Sequence, residues 1–266
     1  MLRPLRIAVL CTHRAPGLLH LLNADPDRGR TFDVVCVVTS EPTFAEEVRV
    51  ERRGVPTRLH GIRAFYAARK APLGRAPDVR AAYDAETVAL LKPYAPDLIL
   101  TAGYLYVLTE PMLAAFRHRM LNLHFADLTL RTPDGEPGFP GIRAVRDALA
   151  AGCPDTRATV HLVSAAVDAG PPLLRSWAFP VSPMVEEARA WTSTDLLRAY
   201  GFAHEQWMMG ACAGPMWSAA IQLVAGGAVA LDRLAASPQR VAPWELSRRG
   251  TLMPALAAPM ARVGRR

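Results

Sequence analysis

The sequence predicts an α/β fold with a mostly parallel sheet flanked by helices. Three observations carry this. Short apolar runs from Arg6 to Cys11 (RIAVLC), Phe32 to Thr39 (FDVVCVVT) and Asp97 to Ala102 (DLILTA) have the length and continuous apolar character of strands buried on both faces. Segments with helical spacing separate them, so strand and helix alternate at least four times before residue 163. Polar residues or glycine follow the strand ends, which is where open parallel sheets hold their ligands.

Taken in order, Arg6–Cys11 is a first strand that runs into the polar Thr12-His13-Arg14, and a helix is expected to start between Pro16 and Leu22. Phe32–Thr39 is rich in β-branched residues and reads as a strand. Phe44–Arg53 reads as a helix ended by Gly54, and Val55–Leu59 as a short strand. The mixed Arg, Ala, Pro and Gly content from His60 to Pro77 predicts a loop or loose helix. Arg80–Tyr94 has helical spacing at Tyr83, Thr87, Leu90 and Leu91, with Pro93 and Pro96 bracketing its end. Asp97–Ala102 is the next strand, followed by Gly103. Thr109-Glu110-Pro111 is a helix start with Thr as N-cap and proline in the first turn.

Arg119–His124 is a strand, Gly141–Ala151 an amphipathic helix stopped by Gly152, and Ala158–Val163 and Leu173–Val181 two further strands. Ser193-Thr194-Asp195 caps a long helical stretch through Leu196, Tyr200, Trp207, Trp217 and Ile221, which Gly214-Pro215 is expected to kink or split. Past Ser237 the proline, alanine and arginine content predicts an extended or partly ordered tail. The expected organisation is a catalytic domain over 1–191, C-terminal helices over 192–236 packed on it, and an Arg/Pro/Ala-rich tail over 237–266.

With 51% hydrophobic residues the chain can bury a sizeable core. No apolar run is expected to reach the roughly 18–20 residues of a membrane span. The N-terminal apolar stretch is too short for a signal peptide before Thr12, so a cytoplasmic protein without a membrane partner is expected. Cys11, Cys36, Cys153 and Cys212 lack CxxC or Cys/His spacing, which argues for buried thiols and against zinc or a disulfide framework. Of the formal charge of +7, the stretch from Arg233 to Arg266 holds seven Arg against one acid, Glu245. It has no dense basic run and few aromatics, so a solvated terminus is expected and a nucleic-acid partner is not.

The chemistry-bearing stretch is Leu121-Asn122-Leu123-His124, with Asp168 in Val167-Asp168-Ala169-Gly170-Pro171. On a strand, period two points Asn122 and His124 to one face. An amide, an imidazole and a carboxylate are the groups needed to hold a carbonyl, stabilise the oxyanion it becomes and move a proton.

These residues resemble the folate-dependent formyltransferase family. The resemblance covers roughly Arg6 to Gln222. It is carried by AYDAETVALLKPYAPDLILTAGYLYVL (Ala82–Leu108), LNLH (Leu121–His124), PGIRAVRDAL (Pro140–Leu149) and ATVHLVSAAVDAGPPLL (Ala158–Leu174), in the family's order and spacing. It implies a Rossmann-like formyltransferase domain with a C-terminal helical extension. It implies 10-formyltetrahydrofolate as co-substrate, no metal, and Asn122, His124 and Asp168 as the catalytic set. It places the pterin against Leu105, Tyr106, Val107 and Leu108 and against the loop from Ser164 to Asp168, including Val167. Arg80, Gly103, Tyr104, Phe125 and Glu205 match acceptor-side positions. The expected partners are a reduced folate and a small-molecule amine, with a homodimer as a compatible assembly.

Two departures bear on the acceptor. In the family's ribonucleotide branch, a glycine-bearing loop after the first strand holds the substrate phosphate through backbone N–H groups. Here that stretch is Thr12-His13-Arg14-Ala15-Pro16-Gly17, and Pro16 has no N–H. After His124 the chain has Phe125-Ala126-Asp127 and an insertion through Thr132–Pro137. The leading expectation is therefore formyl transfer to an amine other than glycinamide ribonucleotide. The alternatives are a purine-pathway enzyme with a divergent phosphate loop and a non-catalytic folate-binding protein.

Overall fold

A computed structural model describes residues 3–190, 193–236 and 242–254. The chain divides into two compact units, Met1–Asn122 with Ile221–Asp232, and Leu123–Ala220 with Arg233–Arg266.

The first unit carries β1 (Leu5–Cys11), α1 (Leu18–Asn23), β2 (Phe32–Thr39), α2 (Glu47–Glu51), β3 (Thr57–Leu59), α3 (Ile62–Ala68), α4 (Pro77–Leu91), β4 (Leu98–Thr101) and α5 (Glu110–Ala115). It also carries most of β5 (Met120–His124), inside which the division falls. Strand β1 pairs in parallel with β2 and β4, β2 with β3, and β4 with β5. Ile7, Leu10, Ile99, Leu100 and Leu121 are fully buried, as strands covered on both faces require.

Helix α3 forms where a loop or loose helix was expected. Its Ile62, Phe65 and Tyr66 pack on Val79 and Tyr83 of α4, a tertiary contact that composition does not reveal. Helix α4 starts earlier than Arg80, at Pro77, which fits a first-turn position. Thr109 precedes α5 as expected, but its hydroxyl makes no capping bond. Its N–H and O–H both donate to Asp84 Oδ2, at 2.6 Å each.

The second unit carries α6 (Ala144–Ala150), β6 (Asp155–Thr156), β7 (Thr159–Leu162), β8 (Pro172–Arg175), β9 (Phe179–Pro180), α7 (Met184–Ala190), α8 (Thr194–Ala225), α9 (Leu231–Ala236), β10 (Trp244–Leu246) and β11 (Leu252–Pro254). Helices α8 and α9 cross the division along the chain, as β5 does. Strand β7 is antiparallel to β8, β8 parallel to β10, and β10 antiparallel to β11.

The single strand expected over Leu173–Val181 is two. At Ser176 the hydroxyl accepts the Ala158 N–H and donates to the Trp177 carbonyl, and β9 then pairs with β6 instead. Helix α8 is one helix through Pro215, so the expected split does not occur. Met208, Cys212, Ala213, Met216 and Trp217 around that point are fully buried, and their packing outweighs the missing backbone bond. Among the described residues α8 is also long and apolar enough to cross a membrane by length and composition, contrary to the expectation that no run approaches a span. Yet 56% of that apolar window is buried inside the structure, as in a core helix.

The stretch past Ser237 holds the β10–β11 hairpin rather than a plain tail. Residues 237–241 and 255–266, most of the arginine-rich end, lie outside the described residues. Cys11, Cys36 and Cys212 are buried free thiols that burial pushes up to about 12, and Cys153 is half-buried.

Candidate active site

In the second unit the site is built around one carboxylate between two imidazoles. His124 is the last residue of β5 and is 8% exposed. Its Nδ1 lies 3.5 Å from Asp168 Oδ2. His161, on β7 and 2% exposed, brings Nε2 to 3.5 Å from Asp168 Oδ1, and its Nδ1 lies 3.0 Å from the Leu162 carbonyl. The Gly141 N–H donates to Asp168 Oδ2 at 2.7 Å. Burial alone would raise the Asp168 pKa, but the His161 hydrogen bond, the His124 charge and the Gly141 N–H together hold it down, at about 2. Asp168 is therefore ionised at neutral pH.

Local backbone chemistry explains the run Asp168-Ala169-Gly170. Asp168 has φ 51, in the left-handed region that Asp and Asn tolerate better than most residues. A Cβ on Gly170 would sit 1.7 Å from the Leu162 carbonyl oxygen, so only glycine lets this turn lie against β7.

The second nitrogen of His124, Nε2, lies 2.8 Å from the Phe139 carbonyl oxygen. Two oxygen acceptors, Asp168 and Phe139, thus face the ring, an arrangement that suits an imidazolium with both nitrogens protonated. Burial opposes the charge more strongly and lowers the His124 pKa below 6.5. The ring is accordingly neutral at rest near pH 7, with a carboxylate placed to stabilise the cation once a proton arrives.

In the first unit, Asn122 lies opposite Thr101 in the β4–β5 register, and Thr101 Oγ1 is 2.8 Å from Asn122 Oδ1. The loop after β4 carries Gly103, Tyr104, Leu105, Tyr106, Val107 and Leu108. Gly103 has φ 71, and a Cβ there would come within 2.7 Å of the Arg14 carbonyl, so glycine is required where this loop crosses the one after β1. The Leu105 N–H donates to Thr12 Oγ1 at 3.1 Å. Leu105 and Val107 are 55% and 56% exposed, and Tyr106 donates to Glu41 Oε1 at 2.8 Å.

Arg80 is buried, not a surface charge. It donates to the Val107 carbonyl (2.8 Å) and the Tyr104 hydroxyl (3.0 Å), and it pairs with Asp84 at 2.8 Å. Its role in the fold is to pin the loop, with Asp84 also accepting from Thr109.

Of the other expected residues, Ser164 and Val167 stand exposed in the loop before Asp168. Phe125 follows β5 half-buried, and Glu205 is half-buried on α8. The structure thus joins His124 with Asp168, and Arg80 with Tyr104 and Val107. His161 was not anticipated. Its signal was a polar residue in the otherwise strand-like Thr159–Leu162 run, seven positions before Asp168. Among the described residues no cluster of three or more His, Cys, Asp or Glu could hold a metal.

Fold and array define an α/β protein with an ionised carboxylate held between two buried imidazoles. Residues 5–195 match the formyl transferase family, and the chain belongs to it. It is 30% identical over 184 residues to the trifunctional purine biosynthetic protein adenosine-3 of Drosophila melanogaster, a match that covers 68% of this chain and 12% of that protein. It is 43% identical over 92 residues to the phosphoribosylglycinamide formyltransferase of Mycobacterium tuberculosis, covering 35% of this chain and 39% of that one. The chain thus spans less than half of the curated relatives that it matches. The glycinamide ribonucleotide transformylase 1 of Symbiobacterium toebii superposes with a TM-score of 0.61 at 29% identity, covering 84% of this chain and 89% of that one. A formyltetrahydrofolate deformylase of Burkholderia mallei shares the fold at 22% identity and a TM-score of 0.53, covering 81% and 65%.

Proposed function

We propose that the protein is a cytoplasmic N-formyltransferase that takes its formyl group from 10-formyltetrahydrofolate and gives it to a small amine other than glycinamide ribonucleotide. The observation that carries this is the ionised Asp168 held against His124 inside a formyl transferase domain. When bound, the donor supplies the formyl carbon. Leu105–Leu108 fit its flat ring: exposed apolar side chains offer a face, and a main chain pinned by Arg80 offers fixed hydrogen-bonding edges.

In this reading Asn122 donates from its amide to the formyl oxygen as charge builds there. Neutral His124 takes up the proton that the attacking amine must lose, directly or through water, and Asp168 stabilises the imidazolium as it forms; the proton then passes to N10 of the folate as the bond between the formyl carbon and N10 breaks and tetrahydrofolate leaves. Asp168 remains ionised throughout, fixed by Gly141 and His161. Loss of either Asn122 or His124 is expected to lower the transfer rate on the order of a hundred- to a thousandfold.

The loop after β1 supports an acceptor other than a ribonucleotide phosphate. Pro16 has no N–H, and the Ala15 N–H is turned to a carboxylate of the protein itself, Glu46 Oε2, at 3.4 Å. Thr12 N–H donates to the Gly103 carbonyl. Exposed His13 and Arg14 favour the second reading, glycinamide ribonucleotide itself, as do the names of the relatives.

The test is a panel of amino sugars, amino acids, hydroxylamines and glycinamide ribonucleotide with 10-formyltetrahydrofolate, read as a mass gain of one formyl group. Glycinamide ribonucleotide is expected to fall below a kcat/KM of about 10⁴ M⁻¹s⁻¹. A value at or above that would establish the second reading. No transfer to any amine, with the folate still bound, would favour a binding protein.

A further inference from the structure

We propose that Thr101 is a positioning residue for formyl transfer, whose hydroxyl sets which end of the Asn122 carboxamide faces the reacting carbonyl; this rests on the reading of Asn122 as the oxyanion donor. Thr101 ends β4 directly opposite Asn122 in the parallel register. The three residues before it in β4, Leu98, Ile99 and Leu100, are apolar, so Thr101 is the one polar side chain of the strand. It is 3% exposed. A hydroxyl buried to that degree costs free energy unless it is hydrogen-bonded.

Its two neighbours on β5 are Asn122 Oδ1 at 2.8 Å and the Leu121 carbonyl at 3.2 Å. A hydroxyl can accept as well as donate, and its orienting power here rests on its one proton going to the nearer acceptor, the amide oxygen, rather than to the Leu121 carbonyl. A carboxamide has nearly the same shape after a half-turn about its last bond, but the turn exchanges acceptor for donors. A donor fixed on Oδ1 therefore holds the NH2 group on the side away from β4. Turned the other way, the amide would present lone pairs to a developing oxyanion and repel it. The competing view is that Thr101 is a β-branched residue filling a strand position, which valine would fill equally well.

Thr101→Val keeps the shape and removes the hydroxyl, and Thr101→Ser keeps the hydroxyl. Asn122→Ala and the double variant Thr101→Val/Asn122→Ala complete the set. Transfer is timed in single turnover from saturating 10-formyltetrahydrofolate to hydroxylamine as surrogate acceptor. Thr101→Val is expected to lower the rate on the order of tenfold or more, part of what full loss of an oxyanion donor costs. The apparent affinity for folate should stay near wild type, and Thr101→Ser should restore most of the rate. In the Asn122→Ala background the valine should add nothing, since there is no amide left to orient.

A second measurement needs no acceptor. The ¹⁵N side-chain amide of Asn122, identified by its loss in Asn122→Ala, should exchange its protons with water faster in Thr101→Val than in wild type. A wild-type rate and wild-type amide exchange in Thr101→Val would overturn the proposal, as would a rate loss that adds fully to that of Asn122→Ala. If Asn122→Ala itself leaves the rate unchanged, the oxyanion role of Asn122 is wrong, and the amide exchange alone decides whether Thr101 orients it. The same measurement decides if hydroxylamine is too poor an acceptor to time.

Discussion

Asp168 stands at the meeting of two opposing effects, burial that favours its neutral form and three partners that favour its charge. The partners win, and a carboxyl at about 2 in the fold against 3.8 in the free chain is a stabilising group. The depressed value means that its contribution is complete above about pH 4 and is lost as pH falls toward 2. Asp168→Asn keeps the residue type that accepts φ 51 and removes the charge. It is expected to cost about 2 kcal/mol at pH 7, and the gap to wild type in urea unfolding should close between about pH 4 and pH 2.

The same substitution reads out on His124. Burial lowers its pKa, and Asp168 is the largest effect holding it up. Without the carboxylate, protonation becomes harder still. An NMR titration should place the wild-type ring below 6.5 and the Asp168→Asn ring lower again; a wild-type value above 6.5 would contradict the neutral-at-rest imidazole, and an upward move in the variant would contradict the role given to Asp168. The sequence singled out Asn122, His124 and Asp168 because the first two lie on a recognisable strand and the third follows another. It hid His161, because an imidazole in a strand-like run looks like any satisfied core histidine until the fold shows what it touches.

At the scale of elements, the turn from Asp168 into β8 depends on a missing side chain. Gly170→Ala would drive a Cβ into the Leu162 carbonyl at 1.7 Å. Overpacking of this kind costs roughly 1–3 kcal/mol, occasionally more, and backbone has no rotamer by which to yield. The expected result is a loss at the upper end of that range in chemical denaturation, together with loss of formyl transfer; wild-type stability would show that the turn can move away.

Helix α8 makes the opposite point. Proline is about 3 kcal/mol less favourable than alanine inside a helix, yet α8 runs through Pro215. Pro215→Ala should therefore raise the unfolding free energy by about 1 kcal/mol or more, measured by denaturant midpoint. A drop would mean that the ring's packing matters more than the backbone bond it removes. Glycine-proline chemistry in the sequence pointed to a break here because local propensity is all that a sequence window contains. Five fully buried side chains around the proline decide otherwise.

At the scale of the whole molecule, the C-terminal hairpin is held by charge as well as by its ladder. Glu245 accepts from Arg157 at 3.0 Å and Arg175 at 2.8 Å, and Arg175 also reaches Asp127 at 3.3 Å. This network joins β10 to β8 and to the segment that follows His124. Glu245→Ala leaves two partly buried arginines facing Asp127, with Asp155 near Arg157 as the other acid, and is expected to cost roughly 1–3 kcal/mol by thermal or urea unfolding. An unchanged midpoint would show the pairs to be too wet to count.

By itself the sequence determined the alternation of strand and helix, the family, and the placement of the amide and imidazole on one strand and of the carboxylate beyond another. These follow from short-range periodicity and from spacing along the chain. The tertiary structure alone decided that α3 is a helix, that α8 runs on through its proline, that the end of the described chain adds two strands, that Arg80 pins a loop from inside, and that His161 shares Asp168 with His124. Each of those depends on which residues distant in sequence bury one another, and burial sets both the cost of a charge and the benefit of a contact.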